Sequence, residues 1–528
     1  MSYIFTNGRL LTCETPGELL DASLLVETGR IAEIGSLEDC RRATKETCEV
    51  IDLKGNVLLP AFTDTHTHFT ELARQRVQID LSGCVTIGEI RSRLEDYRKN
   101  NPLQPRWILG GGWDKNSLDQ PQQLDRRLLD EFFPDVPVAL QSKDYHSRWC
   151  NSAALRETGL DTQKTDPAGG KIFRDATGLP TGILVETASD MLENYIVPLS
   201  EEQTLKCLSQ TVSGIHRMGL TSVHSMEAAP GAEILERFVR ESRQLRVVRH
   251  FYPEQLAALE AGGKRSGDGD AWYRLGGLKL FADGALGSQT GAIFAAYSDS
   301  PQNMGILRLD AEEMHRLVLD AAQKGFYSVI HAIGDRAVSA VIDAFLRLRE
   351  SDPGPSLLHR VEHVQAIAAR DIPRLKQTGV RCAMQPVHLA NDVDMIEAYW
   401  PSLREEAYCF RSLLDAGITL GFGSDAPIET IDPCKGIYSA IERKNKLDPR
   451  AESWLPGECV SVWEAIQAYT LGAAKLSGSQ GWSGSLAKGK IADLIVLRDF
   501  TTLSTEYWLE AASLLTMLAG QPVYREDF

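Results

Sequence analysis

Apolar, β-branched runs recur through the middle of the chain, and helix-like stretches separate most of them. The runs are NVLLPAFTDTHTHF (56–69), TSVHSM (221–226), LRVVRHFY (245–252), LGGLKLFAD (275–283), FYSVIHAI (326–333), HRVEHV (359–364), VRCAMQP (380–386) and ITLGFGSDAP (418–427). Between them lie stretches with helical spacing, such as AEEMHRLVLDAAQKG and FRSLLDAG, each ending in a glycine that suits a helix C-terminus. Strands alternating with helices build a parallel sheet, and eight such units are what a closed barrel needs.

Residues 58–477 are too many for a minimal barrel of this kind. The excess sits at 70–219, between the first and second strand runs. Removing it leaves about 270 residues, near the ~250 of the fold. This insertion has strand-like pieces of its own, RWILGGGWD and VPVALQSKDY. It reads as a subdomain over the barrel mouth. The two ends use a different grammar. Asn7-Gly8, Thr28-Gly29 and Lys54-Gly55 each separate two short strand-like runs, the pattern of a hairpin. A similar piece, GSLAKGKIADLIVLRDF, occupies 484–500. Neither end alone buries much apolar surface, so residues 1–57 and 478–528 are expected to join as one small β-sandwich domain.

Charge and cysteine usage narrow the partners. The chain carries 56 Lys and Arg against 72 Asp and Glu, a net charge of −16. That argues against nucleic acid or an anionic membrane as main partner. No basic start leads into an apolar run, and no stretch approaches the roughly 18–20 apolar residues of a membrane helix. The ten cysteines include no C-x-x-C pair. In a chain of this length, that fits reduced thiols and a cytoplasmic location.

The chemistry concentrates at the ends of the strand runs. In Asp64-Thr65-His66-Thr67-His68 the two histidines are two apart, so in a strand both face one side and can reach one metal ion. Taken alone, the pair is as readily two ordinary turn histidines. His331, His363 and Asp425 end three further runs, at the strand ends where barrel active sites are built. Lys279 ends a fourth. A lysine ammonium has no lone pair for a metal, but its carbamate has two oxygens and can bridge two ions. Pairing with Asp283 or Glu227, or contact with a substrate, is the simpler chemical reading of that lysine.

Together these residues resemble the amidohydrolase superfamily. The strings DTHTHF, GGWD, DYHSRWCNSAAL, LKLFADGALGS, HAIGDRA, RVEHVQ and GSDAP are similar to its YtcJ-like branch, amidohydrolase family 3, which includes N-substituted formamide deformylase. The resemblance spans essentially the whole chain. It implies a metal-dependent hydrolase barrel holding one or two divalent ions, with zinc expected. His66 and His68 would bind the more buried ion. A carboxylated Lys279 would bridge, and His331 and His363 would bind the second ion. Asp425 would ligate the first and act as general base. Ser225 departs from the pattern, since relatives often carry Asp there; this should touch the pocket rather than the metal.

The expected reaction is hydrolysis of a non-peptide, amide-type C–N bond of a small molecule by metal-activated hydroxide. The alternatives are a C–O hydrolase, lactonase or isomerase on the same barrel, or a non-catalytic regulatory homologue. A homodimer is one assembly open to it. Substrate contacts are expected from Trp113 and Asp114 in one loop of the insertion, from Tyr145 and His146 in another, and from Asp283, Arg336 and His388. A Trp in such a loop is also a common packing anchor, and an Asp335–Arg336 pair fixing its own loop is equally open. His224 is expected to stand behind the ligands. His216, His315 and His359 are expected to be structural.

Overall fold

Eight parallel strands form the central sheet of the computed structural model: β1 (Phe62–Thr67), β2 (Leu220–Ser225), β3 (Arg246–Phe251), β4 (Tyr273–Phe281), β5 (Ser328–Ala332), β6 (Arg360–His363), β7 (Arg381–Met384) and β8 (Leu420–Phe422). The structure describes residues 2–15, 17–101, 105–115, 118–142, 147–196, 199–351 and 357–528. Each strand pairs with its sequence neighbour, as in Ser222↔Arg246, Lys279↔Val329, His331↔Glu362 and Cys382↔Leu420. Just past β8, Asp425 N donates to His66 O and His68 N to Ala426 O, both at 2.7 Å. Thr67 and Ala426 form a parallel bridge there as well. The ring is thus drawn together at its C-terminal end by the residues around Asp425. All eight runs picked out from the sequence supply barrel strands.

The helices between strands follow local signals. Helix Ala311–Gln323 starts at Asp310, whose carboxylate accepts from Glu312 N and Glu313 N. The chain leaves it through Gly325, at φ +84°. The next helix, Asp335–Ser351, buries Val338, Val341, Ile342 and Phe345.

The first run is divided. Val57–Pro60 pairs antiparallel with Leu494–Leu497, and only Phe62–Thr67 enters the barrel. The segment before Ala61 belongs to a six-stranded sheet that mixes both ends of the chain, including Arg9–Leu11, Leu494–Leu497 and Leu515–Leu518. A four-stranded sheet holds Ser2–Thr6, Ser23–Glu27, Arg30–Gly35 and Cys48–Asp52. One apolar cluster joins the two sheets, with Phe5, Leu24 and Val26 from the four-stranded sheet and Leu58, Leu494 and Met517 from the other. Of the three turns read as hairpins, only Thr28-Gly29 makes one, with Glu27↔Arg30 paired across it. Asn7-Gly8 and Lys54-Gly55 instead carry the chain from one sheet to the other. A tight turn sets a reversal, and sheet membership is decided by which apolar face is buried.

Residues Glu71–Ser209 form a second compact unit. Its six-stranded sheet contains Ile108–Trp113 beside Val138–Ser142, in parallel register Ile108↔Val138. The glycines of GGGW serve the sheet's own packing: a Cβ on Gly110 would collide with the Ile79 backbone, and one on Gly111 with the Gln141 carbonyl. Trp113 is 3% exposed and its indole N–H donates to Leu140 O at 2.8 Å. It is therefore a core anchor of this unit, not the substrate wall expected of it. Asp114, which follows it, is half-buried. Tyr145 and His146 lie outside the described residues.

Candidate active site

Five polar side chains converge where β1, β5, β6 and β8 end. His66 and His68, two apart on and just after β1, both turn Nε2 toward Asp425 Oδ1, at 3.4 and 3.5 Å. The His66 and His363 rings are 4.8 Å apart, centroid to centroid, and those of His331 and His363 are 4.5 Å apart. Ligand atoms of His66, His363 and Asp425 all fall within 4.8 Å of one another, the geometry of a site that can take a metal ion.

The hydrogen bonds decide which ring nitrogen is free. His66 Nδ1 meets a Glu362 carboxylate oxygen at 2.5 Å. His331 Nε2 meets Gly284 O at 2.8 Å, and His363 Nδ1 meets Gln385 Oε1 at 2.8 Å. Each of these oxygens only accepts, so the nitrogen facing it carries the hydrogen. The other nitrogen, Nε2 of His66 and His363 and Nδ1 of His331, is left with its lone pair. Fixing a ring by its far nitrogen is how proteins orient metal-ligating histidines. All four rings are neutral at neutral pH, as ligation requires. Burial pushes His68 down to about 4 and His331 to about 3, and drives His66 and His363 down as well.

Asp425 is the anion of the cluster. Burial works against its charge, but His66, His388 and His363 outweigh that and hold the carboxyl well below its usual range. The backbone here is strained. Asp425 sits at φ +60°, His363 at +70° and the β-branched Val364 at +48°. Non-glycine residues enter that region at a cost of roughly 1–3 kcal/mol each, and such strain gathers at functional sites. Below the ring, Asp64 is fully buried and accepts from His66 N and Ser424 N at 2.9 and 3.2 Å. It ties β1 to the segment leading into Asp425.

Lys279 is 1% exposed. Among the described residues its Nζ makes no hydrogen bond or ion pair, and it lies over the Phe281 ring, 5.1 Å from the centroid. Neither carboxylate suggested by the sequence pairs with it. Glu227 Oε1 takes the Thr70 amide at 2.6 Å. Both oxygens of Asp283 take main-chain amides, from Ala292, Ile333 and Gly334, at 2.8–3.0 Å. Asp283 is thus a brace between two loops and not the free substrate acceptor expected of it. Burial lowers the Lys279 amine to about 8. A fully buried amine with no hydrogen bond or ion pair is costly to keep.

The remaining expected contacts divide. His388 faces the site, with Nε2 3.6 Å from Asp425 Oδ2. Arg336 holds its own neighbourhood, donating from Nη2 to Met304 O at 3.1 Å. His224 meets Arg360 Nη1 at 2.9 Å behind the ligands, and His216 and His359 bind main chain. Arg360, Glu362 and Gln385 were not singled out from the sequence. Opposite charges two apart in the strand that ends at His363 were the available signal for the first two.

An eight-stranded parallel barrel with this rim defines a metal-dependent hydrolase of the amidohydrolase type. The chain belongs to the amidohydrolase family, whose profile matches residues 49–524. It is 31% identical over 548 residues to the putative amidohydrolase YtcJ of Bacillus subtilis (strain 168), covering 100% of both chains. It is 28% identical to the N-substituted formamide deformylase of Arthrobacter pascens, over 94% of each. Among solved structures, an uncharacterized metal-dependent hydrolase from Pyrococcus horikoshii OT3 superimposes with a TM-score of 0.79 at 27% identity, covering 96% of this chain and 99% of that one. Among the described residues, no helix is long and apolar enough to cross a membrane.

Proposed function

We propose that this chain hydrolyses a non-peptide, amide-type C–N bond of a small molecule, using one or two divalent ions, zinc being the expected metal. The observation that carries this is the convergence of correctly oriented, neutral imidazole nitrogens on an ionised Asp425. Nitrogen and carboxylate donors in that mixture suit zinc and related ions. His66, His68 and Asp425 would hold one ion, and His331 and His363 a second. Lys279, as a carbamate, would join the two. The formamide deformylase named above supports a C–N bond as the target.

When bound, such ions lower the pKa of a water molecule and polarise a substrate carbonyl. The chain supplies the rest. Asp425 is ionised at neutral pH, so it can take the proton of the attacking water and pass it to the departing nitrogen. His388 stands 3.6 Å from Asp425 Oδ2, close enough to favour its charge. His331 and His363 are held in orientation at their far nitrogens. The ten cysteines are all unpaired, which supports a reducing compartment, the cytoplasm.

The test is Asp425→Asn. Turnover of an amide substrate should fall about 10²–10⁴-fold, the usual worth of a positioned general base, while most of the metal is retained. Near-wild-type turnover would remove Asp425 from the mechanism. Running the wild type on a matched amide, ester and lactone separates the C–N reading from a C–O one.

A further inference from the structure

Beneath the candidate metal centre lies a complete buried ion pair. Arg360 and Glu362 are both 0% exposed. Arg360 Nε donates to Glu362 Oε1 at 2.6 Å and Nη2 to Oε2 at 2.8 Å. The rest of the guanidinium is also used: Nη1 meets His224 Nδ1 at 2.9 Å, and Nη2 donates to Thr65 O at 2.6 Å. Arg360 therefore ties β6 to β2 and β1, and fixes Glu362 in one orientation. Glu362 Oε2 then receives His66 Nδ1 at 2.5 Å.

Stability alone does not account for this arrangement. Replacing a buried ion pair by apolar residues of similar volume is often neutral or stabilising, because two charges need not be taken out of water. What apolar residues could not provide is a charged acceptor behind His66. The other two oriented rings have neutral acceptors, the Gly284 carbonyl and the Gln385 amide oxygen. A hydrogen bond to a carboxylate is roughly twice as strong as one to a neutral oxygen, and it makes the opposite ring nitrogen a better donor to metal.

We propose that Glu362, locked by Arg360, is a positioning residue that makes the His66–His68–Asp425 side of the centre the tight metal position and leaves the His331–His363 side the weaker one. This rests on the metal-centre reading above. It adds an order of occupancy and assigns a role to two residues that touch neither metal nor substrate.

The experiment is a chelator titration of the zinc-loaded, full-length protein, with bound zinc counted at each step. A parallel series with Co²⁺ follows the visible ligand-field band. Glu362→Gln keeps an acceptor for His66 but loses the charge. It should weaken the tightest ion about 10–100-fold, the usual effect of removing such an outer partner, and shift the cobalt band. Any weaker ion should stay within about threefold. Gln385→Ala should do the reverse, leaving the tightest ion in place. If Glu362→Gln does not fold, the pair Arg360→Met with Glu362→Met serves instead. It leaves no orphan charge and should lose the tightest ion at least as readily as the Gln variant. An unchanged tightest ion in the Glu362 variants, or equal weakening by Gln385→Ala, overturns the proposal while the metal reading stands. A wild-type protein that holds no zinc removes both.

Discussion

The two ends of the barrel treat buried charge in opposite ways. At the end facing the terminal sheets, Arg246 meets Asp493 through Nε and Nη2, at 2.5 and 3.0 Å, and donates Nη1 to Ala271 O at 2.8 Å. Asp493 Oδ1 also takes the Ala519 amide at 2.7 Å. Both charges of this pair have partners. At the C-terminal rim, among the described residues, Lys279 has the Phe281 ring but no hydrogen bond or ion pair, His388 Nε2 has no hydrogen bond, and Asp425 and His363 hold strained backbones. The first end spends its polar groups on joining the barrel to the terminal sheets. The second keeps polar groups unsatisfied, and a protein tolerates that where the groups await a ligand.

The contrast can be broken most forcefully at the paired end. Asp493→Ala leaves Arg246 buried without its carboxylate and should cost about 3–5 kcal/mol in chemical denaturation, with turnover per folded molecule unchanged. A loss of activity in the folded fraction would show that the two ends are not separable in this way.

Acid sharpens the contrast at the rim. Burial lowers His68 to about 4 and His331 to about 3, below the ordinary imidazole value of 6.5. Above that value both states of the chain carry neutral rings and pH has no effect through these groups. As pH falls below about 6.5, the unfolded chain takes up protons that the folded rim refuses. His68 and His331 therefore each lower the stability of the metal-free protein as pH falls below 6.5, while Asp64 and Asp283, pushed up to about 7 by burial, act with the opposite sign over the same range. Histidine ring resonances followed between pH 7 and 5 separate the two. Rings that titrate near 6.5 would mean that they are not held neutral.

The smallest effect on stability is of opposite sign. Lys279→Met removes an unpaired buried amine and should raise the metal-free protein's stability by about 1–2 kcal/mol, while amide hydrolysis falls at least about 10²-fold. A destabilised Lys279→Met protein would show that the amine is an ordinary structural partner.

The barrel was legible because its strands are local: eight β-branched runs carry their own signal, and the helix stops at Gly325 and Gly417 are written in single residues. The six residues of the rim could be listed for the same reason, since each stands at the end of a run. What escaped was everything that depends on distant partners. Glu362 and His66 are 296 residues apart, and only the closed sheet brings them together. Asn7-Gly8 announces a turn but not that the strands it joins enter different sheets. Trp113 and Asp283 carry chemistry that suits a binding site, yet Leu140 and three loop amides already occupy them. Side-chain type reports what a residue can do, and its neighbours decide what it does.

The most direct measurement is the metal content of the full-length protein alongside its amide hydrolysis, before chelation, after it, and after zinc is returned. One or two equivalents of a divalent metal per chain are expected, with activity lost on chelation and restored on re-addition. Hydrolysis that persists in protein stripped of metal, or a chain that takes up no ion at the rim, would contradict the reading of that rim as a metal centre.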